Sequence, residues 1–227
     1  DERYTYAEVA ASVRSLAHHL RDVHGVGSGD RVAIGMRNFP EWIITHWAVL
    51  CTGAALVGLN AWWTTPELQH GLTDSTPTVA IVDGERLERL VPILDELRAE
   101  RPLAVIATRT DGDLPDGVVG WSEVVDPATA PAQLPPADID PDDDALIFYT
   151  SGTTGFPKGA QITHRGSVHN LLHLVHWTML TVAAGERAAA ARAEDANGSD
   201  GSEAPDAAAD AAPGDAPQAV FLGATPL

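Results

Sequence analysis

The stretch YTSGTTGFPKG, Tyr149–Gly159, packs hydroxyls, glycines and one lysine into a short span. Glycines let the backbone turn its amide hydrogens toward one point, hydroxyls at Thr150, Ser151, Thr153 and Thr154 add donors, and Lys158 adds a mobile point charge. Together these are the parts of a phosphate cradle. Lys158 is also the only lysine, since the rest of the 14 Lys and Arg residues are arginines. An arginine would bring a rigid planar fork suited to fixed bidentate contacts, whereas an ammonium on a flexible stem follows a phosphate that changes during reaction. From Ala145 to Gly185 there is no acidic residue, although Asp and Glu number 32 in the 227 residues, and that window holds Lys158, Arg165 and four histidines. The candidate phosphate-binding residues are therefore Thr150, Ser151, Gly152, Thr153, Thr154, Gly155, Lys158 and Gly159, with Lys158 as the catalytic candidate; the competing reading is a solubilising lysine in a plain loop.

The loop does not fit the P-loop pattern, in which Lys directly follows Gly, a hydroxyl comes next and a helix begins there. Here Lys158 follows Pro157 and precedes Gly159, and AQIT reads as a short strand. Other chemistry-bearing residues read more simply. The aspartates at 138, 140, 142, 143 and 144 surround Pro141 and lack the spaced glycine of a calcium loop, so they read as a solvated connector. His169, His173 and His176 share one helix face but have no Cys or carboxylate beside them and read as polar surface. Trp62 and Trp63 read as packing beside a strand end, with an acyl channel as the alternative, and Cys51 as a small buried residue.

Loops need elements to hold them. Thr5 with Glu8 makes a capping box for a helix to His24, stopped by Gly25, and GVGSGD then turns into a strand at Arg31–Met36. Pro40 starts a second helix, AALVGLN reads as a strand, and TTPELQHGL opens a third helix with Pro66 in its first turn. TVAIVD, a helix over 85–100 and LAVIAT continue the alternation, and ALIFY leads into the glycine-rich loop. Short apolar strands alternating with helices predict an α/β fold with a mainly parallel sheet flanked by helices. Residues 111–144 read as irregular, and a long helix begins after Thr163. The expected organisation is a partial domain over 1–182, an Ala/Asp-rich disordered insertion over 183–219, and the start of a further core strand over 220–227, where the domain is cut off.

An apolar share of 44% is enough for a core, and a formal charge of -18 argues against nucleic acid or an anionic membrane surface as partner. The single cysteine excludes an internal disulfide and points to a reducing, cytoplasmic setting; no segment reads as a membrane span or signal peptide.

At its loop the chain resembles the adenylate-forming superfamily of acyl-CoA synthetases, luciferases and peptide-synthetase adenylation domains. TSGTTGFPKG fits their signature [ST]-S-G-[ST]-T-G-x-P-K-G, and YTYAEV, RNFPEW, GAALVGLNAWWTTPELQHGLTDS and FLGATPL look like segments of the fatty-acyl-CoA ligase branch, in order. The resemblance implies part of a large N-terminal domain, with ATP, a magnesium ion and CoA as cofactors and a small carboxylic acid, expected to be a fatty acid, as substrate. It implies acyl-adenylate formation with loss of pyrophosphate, then thioester formation with release of AMP. Thr150–Thr154 would contact the triphosphate, Gly155 would let the loop fold over it, and Lys158 would balance charge on the departing pyrophosphate. The family's acyl pocket, Thr-Glu pair, ribose Asp and C-terminal lysine find no place before Leu227, so the chain alone is expected to be inactive. An amino-acid or aryl-acid adenylation domain and a non-catalytic nucleotide-binding remnant are the alternatives.

Overall fold

The computed structural model describes residues 2–150 and 155–198. Helix α1 (Tyr6–His24) starts as its sequence predicts: Glu8 N–H donates to Thr5 Oγ1 at 3.2 Å while Glu8 Oε2 accepts from Thr5 N at 2.7 Å. Gly25 ends it at φ +68, in the left-handed region that glycine enters without a Cβ penalty. There follow β1 (Arg31–Gly35), α2 (Pro40–Thr52), β2 (Ala55–Gly58), α3 (Thr65–Ser75), β3 (Val79–Asp83), α4 (Gly84–Glu100) and β4 (Ala104–Thr108). Pro40 opens α2, and Asp83 caps α4 by accepting from Arg86 N at 3.0 Å. After β5 (Val118–Gly120) and the one-turn α5 (Trp121–Val124) come β6 (Asp144–Thr150), β7 (Lys158–Thr163) and α6 (His164–Gly198).

Among the described residues the strands form one sheet in the order β5-β4-β3-β1-β2-β6-β7. Pairing is parallel from β5 through β6, and β7 runs antiparallel to β6. β1 connects to β2 on one side, then β2 leads back across β1 to β3. A right-handed crossover that reverses direction must change faces. The core follows that rule. Val32, Ile34, Leu56, Ile81 and Ile106 pack with α1 and α2, whereas Ala33, Val57, Ala80, Val82 and Ala107 pack with α3 and α4. Burial on both faces is why these strands read as continuous apolar runs.

β5 and α5 lie inside the stretch 111–144 that the sequence predicts as irregular. Three residues carry no readable period, and β5 exists because β4 offers an edge, with Val105 opposite Val118 and Ile106 opposite Val119. The aspartate connector is structural. Asp143 Oδ2 accepts from Ser28 Oγ at 3.1 Å and from Asp140 N at 3.0 Å, and Asp142 pairs with Arg165 at 2.6 Å.

The chain divides into a unit through Val168 and a second from His169 onward. α6 continues past Val182 to Gly198, so 183–198 is helical where an insertion was expected to begin; alanine, abundant there, has the highest helix propensity of any residue. The rest of the expected insertion and the expected strand over 220–227 lie outside the described residues. No described helix is long and apolar enough to cross a membrane.

Candidate active site

β6 and β7 form a hairpin that carries the glycine-rich loop. Tyr149 stands opposite Gly159 and Thr150 opposite Lys158, so the two ends of the loop are held in register by the antiparallel ladder. Because β6 runs parallel to β2, with Phe148 opposite Gly58, the loop leaves at the end where the parallel strands finish. That is the end at which open α/β sheets bind ligands.

Of the candidate residues, Thr150, Gly155, Lys158 and Gly159 are described; Ser151, Gly152, Thr153 and Thr154 lie outside the described residues. Thr150 and Lys158 are brought together, with Thr150 Oγ1 donating to the Lys158 carbonyl at 3.4 Å. Lys158 is exposed and takes part in no ion pair among the described residues. Gly155 has φ +141, a backbone state that side-chain-bearing residues avoid. A Cβ on Gly159 would stand 3.0 Å from Ile147 Cγ2, closer than an ordinary contact, and 3.4 Å from the Tyr149 ring, so the glycine makes room chiefly for Ile147.

Tyr149 is the anchor of the incoming stem. Its hydroxyl donates to Asp74 Oδ2 at 2.6 Å and approaches the Gly71 carbonyl at 3.3 Å. Burial, then the adjacent Asp74 carboxylate, pushes its phenol well above the usual range. Trp63 meets the Tyr149 ring edge-on at 5.2 Å. On the outgoing stem, the His70 ring stacks on Phe156 at 4.6 Å and its Nε2 lies 3.1 Å from the Pro157 carbonyl.

Beside the loop lies a cavity of about 270 Å3 lined by Asn60, Trp62, Trp63, Glu67, Tyr149, Gly155 and Pro157. The two tryptophans have different environments: Trp63 is 6% exposed, while Trp62 is 63% exposed with the Arg37 guanidinium 4.9 Å from its ring. The turn that carries them is pinned from α4. Arg86, 1% exposed, donates from Nε to the Ala61 carbonyl at 2.7 Å and from Nη1 to Asp83 at 3.0 Å, and Arg89 donates to the Trp63 carbonyl at 2.9 Å. Glu67 accepts from Thr64 N at 2.8 Å, and these Thr64 hydrogen bonds hold its carboxyl below the usual range.

The sequence reading missed His70, Gly71, Asp74 and Arg86 as site-supporting residues. Only Arg86 left a local signal, three residues after the capping Asp83. Among the described residues no three His, Cys, Asp or Glu side chains gather in a metal-holding group, so any metal at the site would depend on other ligands. Burial pushes the Cys51 thiol up, against nucleophilic use.

Comparison with known proteins agrees with this geometry. The AMP-binding enzyme family matches residues 1–190. A 4-coumarate–CoA ligase 3 of Oryza sativa subsp. japonica is 34% identical over 77% of this chain and 29% of its own length. A medium/long-chain-fatty-acid–CoA/3-oxocholest-4-en-26-oate–CoA ligase of Mycobacterium marinum is 34% identical over 72% of this chain and 30% of its own. The crystal structure of ATP-bound MatB from Rhodopseudomonas palustris superposes with TM-score 0.61 at 28% identity, over 77% of this chain and 32% of that one. The chain therefore spans about a third of the length of the relatives it matches. With its mainly parallel sheet, its TSGTTGFPKG motif and these relatives, the chain belongs to the AMP-binding family of adenylate-forming enzymes.

Proposed function

We propose that the full-length protein containing this chain is an ATP-dependent carboxylic acid–CoA ligase of the AMP-forming kind, active in the cytoplasm. The observation that carries the reading is the loop itself: a Ser/Thr/Gly-rich segment closed by an antiparallel ladder, at the ligand-binding end of the sheet, with an exposed Lys158 unpaired among the described residues. In the first step a carboxylate oxygen bonds to the α-phosphorus of ATP and pyrophosphate leaves. In the second, the CoA thiol attacks the acyl carbonyl, AMP leaves and the thiol proton passes to solvent. Donors from Thr150 through Thr154 hold the phosphates, Gly155 and Gly159 keep the backbone open to them, and the Lys158 ammonium offsets the negative charge that grows on the leaving pyrophosphate. Magnesium would enter with the nucleotide, because the described residues offer no carboxylate cage of their own.

A fatty acid is the preferred substrate class, supported by the Mycobacterium marinum relative. An aryl acid is the second reading, favoured by the 4-coumarate–CoA ligase relative at the same 34% identity. Acid-dependent exchange of pyrophosphate into ATP, screened over aliphatic and hydroxycinnamic acids, separates the two. Lys158→Ala is expected to slow that exchange on the order of 10²–10³-fold, the usual loss for one transition-state donor. An unchanged exchange rate in that variant would refute the role of Lys158.

A further inference from the structure

The donors of a phosphate loop are productive only when they converge, so the stems on either side of it have to be held in place. Something rigid must hold them. The incoming stem is fixed twice, by the ladder to β7 and by the Tyr149 hydroxyl on Asp74 and Gly71. The outgoing stem is harder to secure. Pro157 has no N–H and cannot extend the ladder beyond Lys158. Its carbonyl instead meets His70 Nε2 at 3.1 Å, and the preceding Phe156, 58% exposed, lies flat on the His70 ring.

His70 and Asp74 fall at i and i+4 on one face of α3, and with the Gly71 backbone carbonyl they let the helix grip both stems at once. α3 is itself immobilised. Leu68 and Leu72 are buried in the core, Thr65 Oγ1 donates to the Arg89 carbonyl at 3.0 Å, and Arg101 donates to the Leu72 carbonyl.

We propose that α3 clamps the phosphate loop, with His70 and Asp74 as positioning residues that preset the loop for ATP. This rests on the adenylation reading above. His70 acts through the Pro157 carbonyl and the Phe156 ring, and Asp74 acts through the Tyr149 hydroxyl; neither touches the reacting atoms.

The test is pyrophosphate exchange in the full-length protein, using the acid that gives the highest wild-type rate. His70→Phe keeps an aromatic ring on Phe156 and removes the donor. His70→Gln keeps an N–H donor near the Nε2 position, and Tyr149→Phe removes only the hydroxyl. His70→Phe and Tyr149→Phe should raise KM for ATP about tenfold, the scale of one hydrogen bond, with KM for the acid unchanged, and His70→Gln should recover most of the loss. Folded variants with wild-type KM for ATP, or equal rises in KM for ATP and acid, would overturn the clamp. Exchange in the wild type with no change in the variants sinks the clamp alone. No ATP-dependent exchange by the wild type with any acid sinks the adenylation reading, and the clamp with it.

Discussion

Gly71 leaves no space for a side chain. A Cβ there would lie 2.5 Å from Trp63 Cζ3 and 3.2 Å from Leu59 Cδ2, inside the distance at which carbon atoms repel. Trp63 in turn meets the Tyr149 ring, so a methyl group at Gly71 would push on the residue that anchors the loop. Gly71→Ala is expected to lower stability by about 1–3 kcal/mol, the range for overpacking a filled core. Helix propensity works the other way by up to about 1 kcal/mol, because alanine is preferred to glycine inside a helix. Urea denaturation should therefore show a net loss, and a variant as stable as the wild type would mean that Trp63 has room to move. Gly58 shows the same economy of space, with the Phe148 ring 2.7 Å from where its Cβ would stand.

At the scale of elements, α4 does more than cover the sheet. Its first turn carries Arg86, which joins the end of β3 through Asp83 to the Asn60–Trp63 turn through the Ala61 carbonyl. Asp83 also accepts from Arg37 N at 3.1 Å, so the ends of β1 and β3, the start of α4 and the tryptophan turn share one buried charge pair. A buried pair broken on one side leaves the other charge unsolvated. Arg86→Ala should accordingly cost about 3–5 kcal/mol, whereas Arg86→Met with Asp83→Asn should cost far less, since it removes both charges and roughly keeps the volume. Chemical denaturation of the two variants checks the difference. If they prove equally destabilised, loss of the Ala61 contact rather than the orphaned carboxylate is the cause.

At the scale of the whole molecule, acid sensitivity comes from histidines as well as carboxylates. His19, His24 and His46 are each pushed below the ordinary 6.5 by burial, and His19 Nε2, His24 Nε2 and His46 Nδ1 have no hydrogen-bond partner among the described residues. Their native pKa values lie below the unfolded ones, so the unfolded chain binds more protons as pH drops. The stability held by keeping these imidazoles neutral is complete above about pH 6.5 and is lost as pH falls through the native values. Carboxylates held low, such as Glu8 and Glu67, add a second loss only further down, below their usual 4.5. The net charge of -18 opposes both trends, because acid relieves self-repulsion, and salt near 0.15 M shortens that repulsion to about 8 Å. Melting temperature in such salt is expected to be level from pH 8 to about 7 and to fall from about pH 6.5, with a shallower fall in His24→Gln. A flat profile down to pH 5 would show that the imidazoles protonate without penalty.

Capping residues, strand runs and the loop motif were legible in the sequence because each is a local matter. Thr5 with Glu8, Pro40 at a helix start, Gly25 at a helix end and the apolar runs of β1 and β3 act through backbone geometry or burial within a few residues of themselves. TSGTTGFPKG could be placed in its family for the same reason, since its chemistry is contained in consecutive residues. Other features depended on distant partners. β5 needed an edge to pair with, and the clamp needed α3 brought against a hairpin 78 residues later, as in the Tyr149–Gly71 contact. The acid-free window is the clearest case: no acid lies between Ala145 and Gly185 along the chain, yet folding sets Glu67 beside Gly155 and Pro157 and Asp74 on Tyr149. Both carboxylates are already committed, to Thr64 and to the Tyr149 hydroxyl. Spacing along a chain limits charge only locally, whereas electrostatic energy depends on distance in space, and only the tertiary structure sets that.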